Sequence, residues 1–221
     1  MNTIKHLIFR NFKTLSILTL CCLLSVFLLM VRLKLTQSFF LLFLVWNLFL
    51  AVIPFCISFH LKHRKKLKKW QLIGWSGLWL LFLPNAPYIV TDLIHLQLSD
   101  GLLVFVDLVV ISSFAIAGLL FYVVSVREME VIFRENFSKK VRKLFFTTLP
   151  FLCGFGIYLG RFLRFNSWDI IQDPASLVVT VVKIFMFPAS HWLAWVITVG
   201  FGFLLWLVLI GYKKMLNPKK S

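Results

Sequence analysis

Runs of about 20 apolar residues, each closed by lysines and arginines, leave this chain few ways to fold, because a run of that length crosses a bilayer core of roughly 30 Å as a helix. Five such runs cover 15–31, 38–59, 102–126, 144–160 and 192–212, and a sixth starts near Trp70 and is interrupted by prolines. Of the 221 residues, 60% are hydrophobic and 14% charged, which excludes an ordinary soluble globule. A transmembrane barrel would need short segments of alternating polarity, and none is present. The expected fold is all-α: a single integral membrane domain over 1–221, a polytopic transmembrane helix bundle of about six spans. It has a broken third helix and an interfacial or re-entrant helix before the last span.

A net charge of +16 would suggest nucleic acid if the charges formed a patch, but they sit between the apolar runs. Nineteen of the 24 lysines and arginines fall before Leu15, in 61–70, in 127–143 or after Tyr212. Alternating spans put all four segments on one side, and the positive-inside rule makes that side cytoplasmic, with both termini there and the protein in the cell membrane. These segments would also attract anionic lipid head groups, and no motif supports nucleic-acid binding. The basic start and first apolar run resemble a signal peptide, but no small-residue cleavage site follows, so the run is expected to remain as span one. Glu128, Glu130 and Glu135 fall in the 127–143 segment, expected to be a solvated, surface-lying connector, whereas Asp92, Asp100, Asp107, Asp169 and Asp173 belong to the opposite side. Cys21, Cys22, Cys56 and Cys153 lie within predicted spans without metal-type spacing and read as small buried hydrophobes, so the cysteines indicate neither a disulfide framework nor a zinc site.

The stretch LFLPNAPYIVTDLIH, which ends at His95, departs from this pattern. Pro84 and Pro87 lack backbone donors and clash with the preceding turn, so the third helix must kink or break about 13 residues in, in its outer half. Broken helices inside a bilayer persist where the freed groups find partners or line a polar cavity. Asn85, Tyr88, Asp92 and His95 are spaced three, four and three apart and share a face if the chain restarts as a helix. Asn85 is the expected cap of that restart, whose first amides would favour an anion. A simple kink with polar residues wetting its rim is the plainer alternative.

A second polar cluster, GRFLRFNSWD, contains Arg161, Arg164, Asn166, Trp168 and Asp169. The two arginines are expected on one helical face, with Trp168 at the aromatic belt. They either snorkel or pair with an aspartate or an anionic ligand. Asp107, about one and a half turns into span four, is neutral, snorkelling, or paired with Arg161 or Arg164. The Gly156 and Gly160 pair has the spacing of a tight helix contact. Asp173 followed by Pro174 starts the interfacial helix, and Pro188 ends it.

The LFLPNAPYIVTDLIHL and GRFLRFNSWD blocks resemble an uncharacterised family of bacterial polytopic membrane proteins, the domain of unknown function thirteen sixty-one. The resemblance covers most of the chain from span two onward. It implies a bacterial inner-membrane protein and carries no assigned reaction, cofactor or catalytic residue. The residues themselves leave three functions open. One is binding or transport of a small anionic or lipid-head-group ligand at an outward-facing polar site. Another is a membrane enzyme using Asp92 and His95 as an acid-base pair or, with Asp107 or Asp169, as metal ligands. The third is a structural or assembly subunit, as a homo-oligomer or with a membrane partner.

The topology makes a direct prediction. In a background lacking native thiols, Ser99→Cys and Asn166→Cys label from outside, whereas Lys66→Cys, Lys139→Cys and Ser221→Cys label only after permeabilisation. Labelling of Ser221→Cys from outside would mean that 175–187 spans the membrane.

Overall fold

The computed structural model describes residues 9, 11–64, 67–99, 101 and 103–216. Lys5, Arg10, Lys65, Lys66, Asp100, Lys219, Lys220 and Ser221, which belong to segments discussed above, lie outside the described residues. The elements are helices α1 (Phe12–Thr36), α2 (Phe43–His63), α3 (Lys69–Phe82) and α4 (Asn85–Tyr88), a 3-10 helix (Ile89–Leu98), then α5 (Leu103–Asn136), α6 (Lys139–Arg161), α7 (Asp169–Gln172), α8 (Pro174–Met186) and α9 (Trp192–Leu216). Among the described residues there are six helices long and apolar enough to cross a membrane, with α3, α4 and the 3-10 helix together forming the third. The protein is therefore an all-helical, multi-pass membrane protein.

The basic segments share one end of the bundle. Asn11, just before α1, lies 3.3 Å from the His63 ring at the end of α2, and Lys62 reaches Glu128 of α5 at 3.2 Å. Lys213 of α9 pairs with Glu130. This end is called the basic face below.

The 127–143 segment is not a surface connector. Leu103–Asn136 is one helix of 34 residues. At a rise of about 1.5 Å per residue it is about 51 Å long, well beyond a bilayer core. A two-residue turn follows, and the Ser138 side chain accepts from the Val141 amide, the role of an N-cap for α6. Glu128 is buried, 3.1 Å from Ser58 Oγ, and Ser58 is 3.1 Å from Ser125 Oγ, which accepts from Trp79 Nε1. A carboxylate that looked solvated in sequence thus closes an interior network joining α2, α3 and α5. The cysteines also differ from expectation, since Cys153 is buried but Cys56 faces outward.

The third span turns at its prolines without unwinding, since Leu83, Pro84, Tyr88 and Ile89 all keep right-handed helical angles. Pro84 and Pro87 bring no N–H, so the ladder must shift. The Ala86 amide bonds the Leu83 carbonyl three residues back, and the Tyr88 amide reaches Pro84. The chain then tightens into a 3-10 helix of 10 residues, an uncommon length for that geometry.

Two glycine notches receive the bend. A Cβ on Gly118 of α5 would lie 2.3 Å from the Ala86 carbonyl oxygen, and one on Gly156 of α6 would lie 2.6 Å from the Pro84 ring. The small-residue spacing on α6 therefore seats Pro84 against Gly156 and the Tyr88 ring against Gly160, as close helix packing in lipid requires. Elsewhere α6 packs on α9, with the Gly154 and Gly202 positions against Thr198 and Phe151.

Helix α8 starts as the sequence implied, with Pro174 in its first turn and the Asp173 carboxylate accepting from the Ser176 amide at 3.1 Å. It has 13 residues, of which only Ile184 is buried. A helix of that length reaches about 20 Å, short of a hydrocarbon core of roughly 30 Å.

The notches set a stability prediction. Gly118→Ala lowers stability by about 1–3 kcal/mol through overpacking. Gly77→Ala puts its methyl where no atom lies within 4 Å. It stays within roughly 0.5 kcal/mol of the parent. Thermal unfolding in detergent compares the two.

Candidate functional site

Two buried aspartates organise the end of the bundle opposite the basic face. Asp92, in the 3-10 helix, is fully buried. Its Oδ1 accepts from Arg161 Nη2 at 2.8 Å, and its Oδ2 accepts from Asn47 Nδ2 of α2, also at 2.8 Å. Arg161 donates as well to the Thr91 carbonyl at 2.6 Å and to the Tyr88 hydroxyl at 3.3 Å, with its guanidinium carbon 5.1 Å from the Tyr88 ring centre. One arginine at the end of α6 thus grips the third span at three points past the bend. Without water, a carboxylate needs such a charged and hydrogen-bonded partner set.

Asp107, near the start of α5, does not meet Arg161 or Arg164. Its partner is Arg32 of α1, which donates from Nε to Oδ1 at 2.8 Å and from Nη2 to Oδ2 at 3.3 Å. This is the two-point grip that suits a guanidinium to a carboxylate. Ser99 adds a bond to Oδ2 at 2.6 Å, and Arg32 Nη1 donates to the Ser38 carbonyl at 2.8 Å. Arg32 is 4% exposed and Asp107 1%. Geometry explains why the arginines of the second cluster are elsewhere: α6 ends at Arg161, and Arg164 lies beyond it at φ 61°. The expected shared helical face for Arg161 and Arg164 is therefore absent. Arg164 is exposed, and no ion pair involves it among the described residues.

His95 follows Asp92 by one 3-10 turn, with Nδ1 3.0 Å from the Asp92 carbonyl oxygen and 3.9 Å from its Oδ1. Its ring packs against Phe40 and Phe43, with centroids 5.9 and 4.8 Å away. Asp92 is thus fully buried, with both carboxylate oxygens already accepting from Arg161 and Asn47. Among the described residues no three His, Cys, Asp or Glu side chains gather as metal ligands.

Asn85 does not cap the restart. Its side-chain amide donates to the Phe82 carbonyl and to Ser167 Oγ, each at 2.9 Å, and Ser167 donates to the Leu81 carbonyl at 3.2 Å. The restarted helix has no side-chain cap bond, and its Ala86 and Tyr88 amides donate to the Leu83 and Pro84 carbonyls. These bonds form one wall of a cleft of about 170 Å³, between the bend, α2, α6 and the loop before α7. Trp46, Asn47, Tyr88, Asn166 and Trp168 also line it. The indoles of Trp46 and Trp168 meet edge to face, with centroids 6.4 Å apart. Asp169 supports the loop by accepting from the Asn166 amide at 2.7 Å.

The bend therefore brings together Asn85, Tyr88, Asn166 and Trp168 at the cleft, and Tyr88, Asp92 and Arg161 behind it. Asp107 belongs to a separate clamp. Sequence reasoning missed Arg32, Ser99 and Ser167 and left Asn47 outside the site. Arg32 had a readable signal: it stands on the side poor in positive charge, where the topology rule gives it no orienting role.

A multi-pass helical bundle with a proline-bent third span, clamped by buried arginine–aspartate pairs beside an amide- and indole-lined cleft, is the class of protein these features define. The chain belongs to the family described as Protein of unknown function (DUF1361), whose model matches residues 46–208. No curated protein and no solved structure matches the chain. The family match begins within α2, so α1 and Arg32 lie outside it.

The two clamps predict separable couplings. Arg32→Ala and Asp107→Ala each cost roughly 3–5 kcal/mol, and the double variant loses clearly less than their sum. Arg161→Ala combined with Asp107→Ala is additive within about 0.5 kcal/mol. Unfolding midpoints in detergent measure both cycles.

Proposed function

We propose that this protein binds the small polar head of a membrane amphiphile in the cleft at the bend, on the outer side of the membrane. The observation that carries this reading is the lining. Amides and a hydroxyl from Asn47, Asn85, Asn166 and Ser167 converge with the indoles of Trp46 and Trp168. The strong charges behind them are already paired, Arg161 with Asp92. Such a wall offers neutral hydrogen bonds and aromatic faces to a ligand that is polar at one end and apolar at the other.

The lining, polar on one side and aromatic on the other, supports a head group rather than a bare chain. The cleft holds about 170 Å³. Commitment of Arg161 to Asp92 favours a lipid-type head over a free anion. Full burial of Trp79, Leu149 and Cys153 towards the basic face favours binding over passage. Burial of Asp92 likewise favours binding over acid-base catalysis by Asp92 and His95. The orientation rests on the positive-inside rule, which puts the basic face in the cytoplasm.

Native mass spectrometry of the protein released from its membrane tests the reading. The expected result is a retained amphiphile of one mass class, bound about tenfold less by Trp168→Ala, since losing the ring removes on the order of 1.4 kcal/mol. Equal retention by Trp168→Ala and parent, or no retained amphiphile at all, would count against it.

A further inference from the structure

A second site, independent of the outer cleft, lies at the basic face. Two adjoining cavities of about 430 and 340 Å³ open between the end of α5, the start of α6 and the end of α9. They share Glu130, Arg134, Leu209 and Lys213 in their walls. Across the pair, six cations line the groove: Arg127, Arg134, Lys139, Arg142, Lys143 and Lys213. Among the described residues Glu130 is the one carboxylate in that lining, and it is already paired with Lys213. Among the described residues no other of the six has an ion-pair partner.

Like charges converge in this way at a cost unless an anion joins them. The positive-inside rule asks only that cations be on this side; it does not ask that they surround a groove. The groove follows from three features of the chain. Helix α5 runs on as an uninterrupted rod past Glu130, and α6 returns after a two-residue turn, which sets Arg134 beside Lys139, Arg142 and Lys143. Helix α9 leans on α6 through Gly154 and Gly202, and the Lys213 to Glu130 pair ties it to α5.

The floor decides what kind of anion. Leu209 lies beneath both cavities, and Trp206 borders one of them. The neighbouring surface of α9 continues as exposed Phe203, Trp206 and Leu207, a face that meets acyl chains when α9 crosses the membrane. A cationic mouth above an apolar wall fits a molecule with phosphate at one end and hydrocarbon at the other. We propose that this groove is a specific site for an anionic glycerophospholipid, its phosphate held between Arg134 and Arg142 and its acyl chains against α9. Guanidinium pairs suit phosphate because their planar forks donate two bonds at once.

The test uses the full chain in detergent, titrated with phosphatidylglycerol and read by native mass spectrometry. Arg134→Gln with Arg142→Gln is expected to weaken binding about tenfold, taking each surface cation as worth several-fold. Lys68→Gln with Lys69→Gln, which removes the same charge at the start of α3 on the same face, is expected to leave binding within about twofold. All four side chains lie outside the buried core, so folding is retained, and matching unfolding midpoints verify it. Phosphatidylcholine is expected to bind the parent no better than it binds the variants. Equal weakening by the two double variants would reduce the groove to diffuse surface charge and overturn the proposal. Displacement of the lipid by equimolar inorganic pyrophosphate would also overturn it, by showing a site for soluble phosphate.

Discussion

A carboxylate buried inside a helix bundle must find protein partners in place of water, and the end of this bundle opposite the basic face is arranged around two of them. Asp92 and Asp107 are both buried, and each is met by an arginine from a helix far away in sequence. Asp92 draws the end of α6 and α2 onto the third span, while Asp107 draws α1 onto α5. A broken pair would leave a lone charge at a cost of several kcal/mol, so each aspartate fixes the register of the helices it joins. The polar residues of this end act less as a reactive set than as fasteners.

Fastening matters because the third span is intrinsically weak there. Two prolines remove donors, and the 3-10 helix that follows has poorer hydrogen-bond geometry than an α-helix. Gly118 and Gly156 let α5 and α6 close on the bend, Asn85 and Ser167 occupy the carbonyls just before it, and Arg161 holds Tyr88, Thr91 and Asp92 after it. The cleft is a consequence: side chains turned inward to satisfy the bend leave amides and hydroxyls facing a small space that the indoles of Trp46 and Trp168 wall off. The basic end works differently, with one buried network at Glu128 and an open groove lined by cations beside it.

Much of this was legible in the sequence for physical reasons. Long apolar runs and charge position specify spans and their alternation, and Pro84 and Pro87 mark the bend because no helix passes two prolines unchanged. Asp173 and Pro174 mark a helix start by chemistry alone. Long-range partners were not legible. Arg32 and Asp107 are 75 residues apart, and nothing local says which of several cations faces which aspartate. The end of α6 was also hidden, because Arg161 and Arg164 have helical spacing while Arg164 sits at positive φ outside the helix. Glu128 misled for a similar reason: a glutamate among basic residues looks solvated until the helix is seen to continue and bury one of its faces.

The grip of Arg161 on the span past the bend is the central claim, and a distance measurement reaches it most directly. Ile94, past the bend, and Phe162, just after α6, are both exposed and accept spin labels without entering the core. Pulsed electron resonance on the labelled pair is expected to give one narrow distance distribution in the parent and a broader, longer one in Arg161→Met, which keeps the stem and removes the charge. A distribution that stays equally narrow and unshifted in Arg161→Met would contradict the claim, leaving packing alone to hold the bend.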